Sequence, residues 1–101
     1  MNITISRDGF SNLAEVWEYG PNTIVVRTTD GRQVKITAAH NIKSGTNSKY
    51  CAEYEEIREI RIENATVEVW ATANYRPIDG DAIEECLLCA LEWVNAHKSE
   101  T

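Results

Sequence analysis

The sequence contains no apolar run near the ~18 residues that a membrane-spanning helix needs, so we expect no transmembrane segment. It has only three cysteines, and this odd number argues against a disulfide scaffold and predicts free thiols in a reducing compartment. The first residues show no basic stretch followed by an apolar one. We therefore expect no secretory signal and a cytoplasmic location.

Most catalytic motifs are also missing. The chain has no glycine-rich phosphate loop, no nucleophile-elbow motif and no paired-histidine zinc motif. Of its two histidines, His40 has no evident nucleophile partner, and we interpret His97 as a capping residue near the end of a predicted helix. These absences predict that the protein is not an enzyme and that it uses no cofactor or metal.

Cys86 and Cys89 have the C-x-x-C spacing of redox and metal sites. Both fall on the apolar side of a predicted helix, beyond the free N–H groups at a helix start that would stabilise a thiolate. We interpret them as small buried hydrophobic residues. A thiol pair, or a metal site completed by Cys51 and His40, remains the alternative.

The length of 101 residues, with 43% hydrophobic and 26% charged residues, is typical of one globular domain spanning residues 1–101. The net charge of -6 is unevenly distributed: residues 1–50 hold four acids and six bases, and residues 51–101 hold twelve acids and four bases. Such an acidic second half repels nucleic acid and attracts a basic surface on another protein.

Two hairpins can be predicted from alternating apolar residues. Residues 23–28 and 33–38 flank Asp30-Gly31, and a three-residue loop at 29–31 pairs Val26 with Val34 and creates one apolar face. Residues 59–62 and 66–70 form the second hairpin. A tip at residues 64–65 places Arg61 opposite Glu68, whereas a tip at 63–64 places Glu59 opposite Glu68, so we predict the first register.

Other segments are assigned more briefly. Residues 1–6 and 13–19 alternate as strands, and residues 40–49 form a polar loop. In the second of these strands Leu13, Glu15, Trp17 and Tyr19 fall on one side, and Ala14 and Val16 fall on the other. Residues 50–56 suit either a helix or a strand, and we favour a strand because a hairpin follows. Residues 74–80 are a connector.

The last segment is a predicted amphipathic helix of about 16 residues, beginning after Asp81 as N-cap with Glu84 completing a capping box. The fold class is therefore α+β. Antiparallel hairpins form one sheet, and the single C-terminal helix packs on one face. The other face is solvated or used for binding because its residues are mixed in polarity.

Acidic residues dominate residues 53–85, which hold ten acids and three bases. A solvated surface is one interpretation. Our prediction is that these acids gather in one exposed patch together with Tyr54 and Leu88, the latter on the predicted helix. This patch would dock on a basic partner. The candidate partner-binding residues are Glu53, Tyr54, Glu55, Glu56, Glu59, Glu63, Asp79, Asp81, Glu84, Glu85 and Leu88.

In size, acidity and hairpins that end in one helix at residues 82–93, the chain resembles the small proteins that phages encode against host defences, including anti-CRISPR inhibitors. No motif matches residue by residue. The same outline fits immunity proteins that block bacterial toxins, and residues 80–85 are similar to the helix start of HicB-type antitoxins.

This resemblance implies a non-enzymatic inhibitor that occupies the nucleic-acid-binding groove of a basic protein or ribonucleoprotein effector. The inhibitor would act in the host cytoplasm if it is phage-encoded, without binding nucleic acid or membranes itself. A homo-oligomeric module, such as a homodimer that pairs sheet edges, is the alternative function.

Overall fold

A computed structural model describes residues 10–41, 48–76 and 78–97. Within these ranges the chain forms β1 (Leu13–Gly20), β2 (Thr23–Thr28), β3 (Gln33–His40), β4 (Tyr50–Ile62), β5 (Ala65–Thr72), β6 (Asp79–Gly80) and α1 (Ile83–Ala96). The strands form one antiparallel sheet in the order β1-β2-β3-β4-β5, and β6 pairs with the start of β4. The predicted α+β fold is confirmed, whereas the strand expected at residues 1–6 lies outside the described residues.

The first hairpin has the predicted register. Val26 lies opposite Val34 and Ile24 opposite Ile36, so one side of β2 and β3 is apolar. Gly31 has a φ of 90° in the three-residue loop, a backbone conformation that glycine adopts without steric cost. The side of the sheet that carries Ile24 and Ile36 packs on α1, and we call it the helix face; the opposite side is the far face.

The register predicted for the second hairpin is wrong. Ile62 lies opposite Ala65, the turn is at Glu63-Asn64, and Glu59 is directly opposite Glu68. Both acids are exposed, so water and salt weaken their repulsion. The two-residue loop has a positive φ of 54° at Glu63, which suits the right-handed twist of a hairpin.

The register of β1 shifts between Leu13 and Glu15, and this irregularity corrects the predicted alternation. Leu13 pairs with Thr28 and Val16 with Val26, so both face the helix. Glu15 and Trp17 turn to the far face. Sequence alternation placed Leu13 and Trp17 on one side because it did not anticipate the extra residue.

The core lies between the helix face and α1, which packs on β2, β3, β4 and β6. Full burial of each large aliphatic side chain there contributes about 1.5–3 kcal/mol before entropy costs. The helix has the predicted apolar side, although it is two residues shorter than the 16 expected, at 14 residues. The buried helix residues are Cys86, Leu87, Ala90, Leu91 and Val94.

The predicted capping box at the start of α1 is absent. Ala82 is the N-cap residue and makes no side-chain capping hydrogen bond. The Asp81 carboxylate instead accepts a 3.2 Å hydrogen bond from the backbone N–H of Lys49. At the other end His97 is the C-cap, its N–H bonds to the Trp93 carbonyl, and its ring stacks on Trp93 at 3.8 Å.

Candidate partner-binding surface

The far face has its own buried centre, which the sequence analysis did not anticipate. Val25 points away from the helix but has no exposed surface. Its cross-strand neighbours are Trp17 on β1 and Lys35 on β3. The side chains of the far face therefore cover the sheet beneath them and form a second packed layer.

Lys35 lies at the middle of this layer, between two aromatic rings. Its Nζ is 5.2 Å from the ring centroid of Tyr19 and 4.8 Å from that of Trp70. The two rings meet edge to face, with centroids 6.1 Å apart. Glu55 completes the group, since its Oε1 is 3.4 Å from the Lys35 ammonium.

Contact between Tyr19 and Trp70 also reveals the shape of the sheet. Tyr19 belongs to β1 and Trp70 to β5, the two edge strands, whose separation across a flat sheet is about 19 Å. The rings nevertheless touch, so the two ends of the sheet curl toward each other on this side. The far face is accordingly a curved surface on which the rings of two edge-strand residues meet beside Lys35.

Carboxylates surround these rings. Glu15 pairs with Arg27, and Glu55 pairs with Lys35. By contrast, Glu53, Glu59 and Glu68 are exposed and form no ion pair with any residue that the structure describes. The far face therefore combines exposed aromatic rings, Trp17 and Tyr19, with negative charge that is not neutralised internally.

Tyr54 is not part of this surface, which corrects its prediction as a partner-binding residue. Strand alternation turns it to the helix face, where only 5% of the residue is exposed. Its hydroxyl donates a 3.0 Å hydrogen bond to the carbonyl of Arg76, and its ring lies 5.1 Å from that of Tyr75. Burial also raises the pKa of the Tyr54 hydroxyl.

Glu56 is likewise committed to an internal contact. The Tyr75 hydroxyl donates a 2.6 Å hydrogen bond to its Oε1, and the Arg32 guanidinium lies 3.9 Å from the same oxygen. Arg32 also bonds to Asp30 through its Nε at 3.0 Å. This network joins β4, the β2–β3 turn and the segment after β5, so Glu56 has a structural role in the fold.

The remaining predicted acids do not form one patch, and that expectation is wrong. Glu53, Glu55 and Glu59 share the far face, and Asp79 adjoins it because β6 pairs Asp79 with Cys51. The others lie elsewhere on the molecule. Glu63 lies in the β4–β5 turn, Asp81 lies just before the helix, and Glu84, Glu85 and Leu88 are exposed on α1.

The thiols have the properties of packed core residues. Cys51 and Cys86 are buried, Cys89 is partly buried, and all three are free. Burial raises the pKa of the Cys86 and Cys89 thiols, and the nearby carboxylates of Glu85 and Glu92 raise it further. A raised pKa disfavours the thiolate that redox chemistry requires.

Residues 10–41, 48–76 and 78–97 contain no group of three or more His, Cys, Asp or Glu side chains arranged to hold a metal ion. No helix within these ranges has both the length and the apolar character required to cross a membrane.

Comparison with known proteins found no counterpart. The sequence matches no family model, and neither the curated proteins nor the solved structures include a significant match. The far-face cluster was missed from sequence because Tyr19, Lys35 and Trp70 are far apart in the chain. The one clue was that Trp17 and Tyr19 alternate with smaller residues on β1, which places both rings on the same side.

Proposed function

We propose that this protein is a non-enzymatic inhibitor whose far face docks on the basic groove of a nucleic-acid-binding protein or ribonucleoprotein. Anti-defence inhibitors of phages are the class that its size and acidity resemble. The observation that supports the proposal is the combination of exposed rings and unpaired carboxylates on one curved face. Its acids would meet the cations that normally bind phosphates, and so exclude nucleic acid from the groove.

The composition of the far face suits such an interface. Aromatic rings that already pack against one another lose little conformational freedom on binding, and Tyr and Trp are frequent binding hot spots. Trp17 is 38% exposed and Tyr19 is 55% exposed, so both can stack on arginine side chains of a partner. Glu53 and Glu59 are available to pair with those cations.

The experiment uses a fluorescent deca-arginine peptide as a defined basic probe and measures its affinity by anisotropy at low and high salt. A double variant on the far face, Glu53→Gln with Glu59→Gln, is compared with a double variant on the helix, Glu84→Gln with Glu92→Gln. Both variants change the net charge by the same amount. Glu68 is left intact because it also lies along the open edge of the sheet.

We expect the far-face variant to bind the peptide at least ~10-fold more weakly than the helix variant, and the parent affinity to fall steeply with salt. Equal losses in the two variants would mean that only net charge matters. A larger loss in the helix variant would place binding on α1. Either result, or an affinity that does not change with salt, overturns the proposal.

A further inference from the structure

The outer half of the β4–β5 hairpin extends beyond the rest of the sheet. β3 pairs with β4 only as far as Glu56, whereas β5 continues to pair with β4 to the turn. The helix packs on β2, β3, β4 and β6. Residues 58–62 and 65–69 therefore form a two-stranded ribbon, and we use that name for them below.

The helix face of the ribbon carries an apolar stripe. Ile60 is 41% exposed, Ile62 is 55% exposed and Val67 is 37% exposed. Ile60 lies opposite Val67, and Ile62 lies opposite Ala65, so the apolar side chains are neighbours on one side. Three large aliphatic residues together at a projecting hairpin are characteristic of a contact surface.

The outer edge of β5 supplies backbone groups for such a contact. Among the described residues, β5 pairs only with β4. The N–H of Ala73 bonds to the carbonyl of Tyr54 at 3.0 Å, so the alternation of an antiparallel ladder turns the backbone groups of Thr66 and Glu68 outward. An open edge of this kind is a template for another strand.

We propose that the ribbon pairs with the ribbon of a second copy of this chain, β5 against β5 in antiparallel orientation, with the two-fold axis beside Val67. Each Val67 then lies opposite the same residue of the other copy, and each Thr66 lies opposite a Glu68. The sheets of the two copies become one continuous sheet. This inference does not depend on the function proposed above.

Apolar complementarity favours this position of the axis. The row across the interface reads Ile60, Val67, then Val67 and Ile60 of the second copy. The next row adds Ile62 and Ala65 beside Val69 of the second copy. All three exposed aliphatic residues of the ribbon thus lie at the centre of the dimer, where pairing removes them from water.

Charge complementarity favours the same register. On the far face Glu59 and Glu68 are opposite each other, while Arg61 forms no ion pair with a described residue. With the axis at Val67, Glu68 lies opposite Thr66 of the second copy. Arg61 of the second copy is the next residue in that row, beyond the short side chain of its Thr66. Two strand spacings, about 9.6 Å, separate their backbones, a distance that the two long side chains can bridge.

Neighbouring registers lack this agreement. An axis at Glu68 would place the two Glu68 carboxylates directly opposite each other, which is unfavourable. An axis at Val69 would place Glu68 opposite Trp70 and move Arg61 out of reach. Only the axis at Val67 pairs both the stripe and the charges, so the structure favours a second copy of the chain over an unrelated strand.

A cysteine cross-link tests the position of the axis. Val67→Cys places two thiols across a non-hydrogen-bonded pair, where Cα atoms are about 4.5 Å apart and a disulfide can form. Val69→Cys is the matched control, since its two copies would be four residues out of register, or about 13 Å apart. The parent chain under the same mild oxidant reports any contribution from the native thiols, and circular dichroism checks that each variant folds.

We expect a disulfide-linked dimer from Val67→Cys and little or none from Val69→Cys or the parent. Sedimentation velocity of the parent should show a mass that rises with concentration. Arg61→Glu should weaken dimerisation by about 10-fold, and the exchanged pair Arg61→Glu with Glu68→Arg should restore it.

Two results overturn the inference. A parent chain that stays monomeric at every concentration, together with no cross-link at residue 67, means that a second copy does not cover the stripe. A cross-link at residue 69 in preference to 67 overturns the register on which the argument depends. Loss of peptide binding by the far-face variant, with dimerisation unchanged, separates this inference from the proposed function.

Discussion

The Tyr75 hydroxyl donates a 2.6 Å hydrogen bond to Oε1 of Glu56, and both side chains are largely removed from water. The same hydroxyl accepts a hydrogen bond from the Arg32 guanidinium. One phenol thus connects the segment after β5 to β4 and to the turn between β2 and β3. A carboxylate that sequence analysis assigned to binding is here a structural acceptor.

Tyr75→Phe should destabilise the protein by about 1–3 kcal/mol, because it leaves a half-buried carboxylate and a guanidinium without their shared partner. Urea denaturation measures the change. Tyr19→Phe is the control, since the Tyr19 hydroxyl makes no hydrogen bond with a described residue, and it should change stability by less than ~0.5 kcal/mol. Equal stability of Tyr75→Phe and the parent would contradict the network.

Gly31→Ala should cost about 1 kcal/mol of unfolding free energy, because an L side chain is disfavoured at positive φ. The φ of Gly31 is 90°, and no atom lies within 4 Å of the position that its Cβ would occupy. The cost is thus purely conformational. Gly20 has the same open surroundings without a positive φ, so Gly20→Ala should be neutral or slightly stabilising. Thermal unfolding of both variants measures the two changes in stability. Similar losses of stability in the two variants would contradict this account.

Gly80→Ala should be destabilising for a different reason. A Cβ at this position would lie 2.9 Å from Sγ of Cys86, which is fully buried, so one of the two atoms would have to shift. We expect a cost of about 1–3 kcal/mol from this overpacking. In a Cys86→Ala background the sulfur is gone, so adding Gly80→Ala should cost much less. Additive effects in this double-mutant cycle would show that the contact is not responsible.

Alkaline pH should destabilise the fold through its buried thiols. Cys86 has a raised pKa when folded, so in the unfolded chain it loses its proton first, near the ordinary pKa of 9.0. The unfolding free energy is therefore unaffected below that pH and falls as the pH rises beyond it. Urea denaturation at pH 7 and pH 10 should show a smaller loss for Cys86→Ala than for the parent. Parallel losses would assign the effect to other groups, such as Tyr54.

The sequence predicted the first hairpin because its apolar residues permit only one register with a continuous face. The second hairpin was predicted wrongly because opposite charge across the strands was weighted above turn geometry, although exposed charges contribute little. Asp81 and Glu84 have the spacing of a capping box, yet the Lys49 backbone binds Asp81 and the helix begins without it. Local patterns cannot reveal such a contact from a distant segment.

The far-face surface was even less accessible to sequence reasoning. Tyr19, Lys35 and Trp70 meet only because strand order and sheet curvature bring the two edges together. Tyr54 was assigned to the surface because it lies within an acidic run. In a strand, however, Tyr54 is on the same side as Ala52, a pattern that is compatible with burial of both. Composition identified the charge of the surface but not which acids share it.

The 13-residue strand β4 serves two mechanical roles at once. Its first half is held by β3 on one side and by β6 at its start, whereas its second half is held by β5 alone. Fraying of the ribbon tip can therefore proceed without opening the core. Slow amide hydrogen exchange should be confined to the half of β4 that lies beside β3, so one continuous strand contains both a rigid anchor and an adaptable arm.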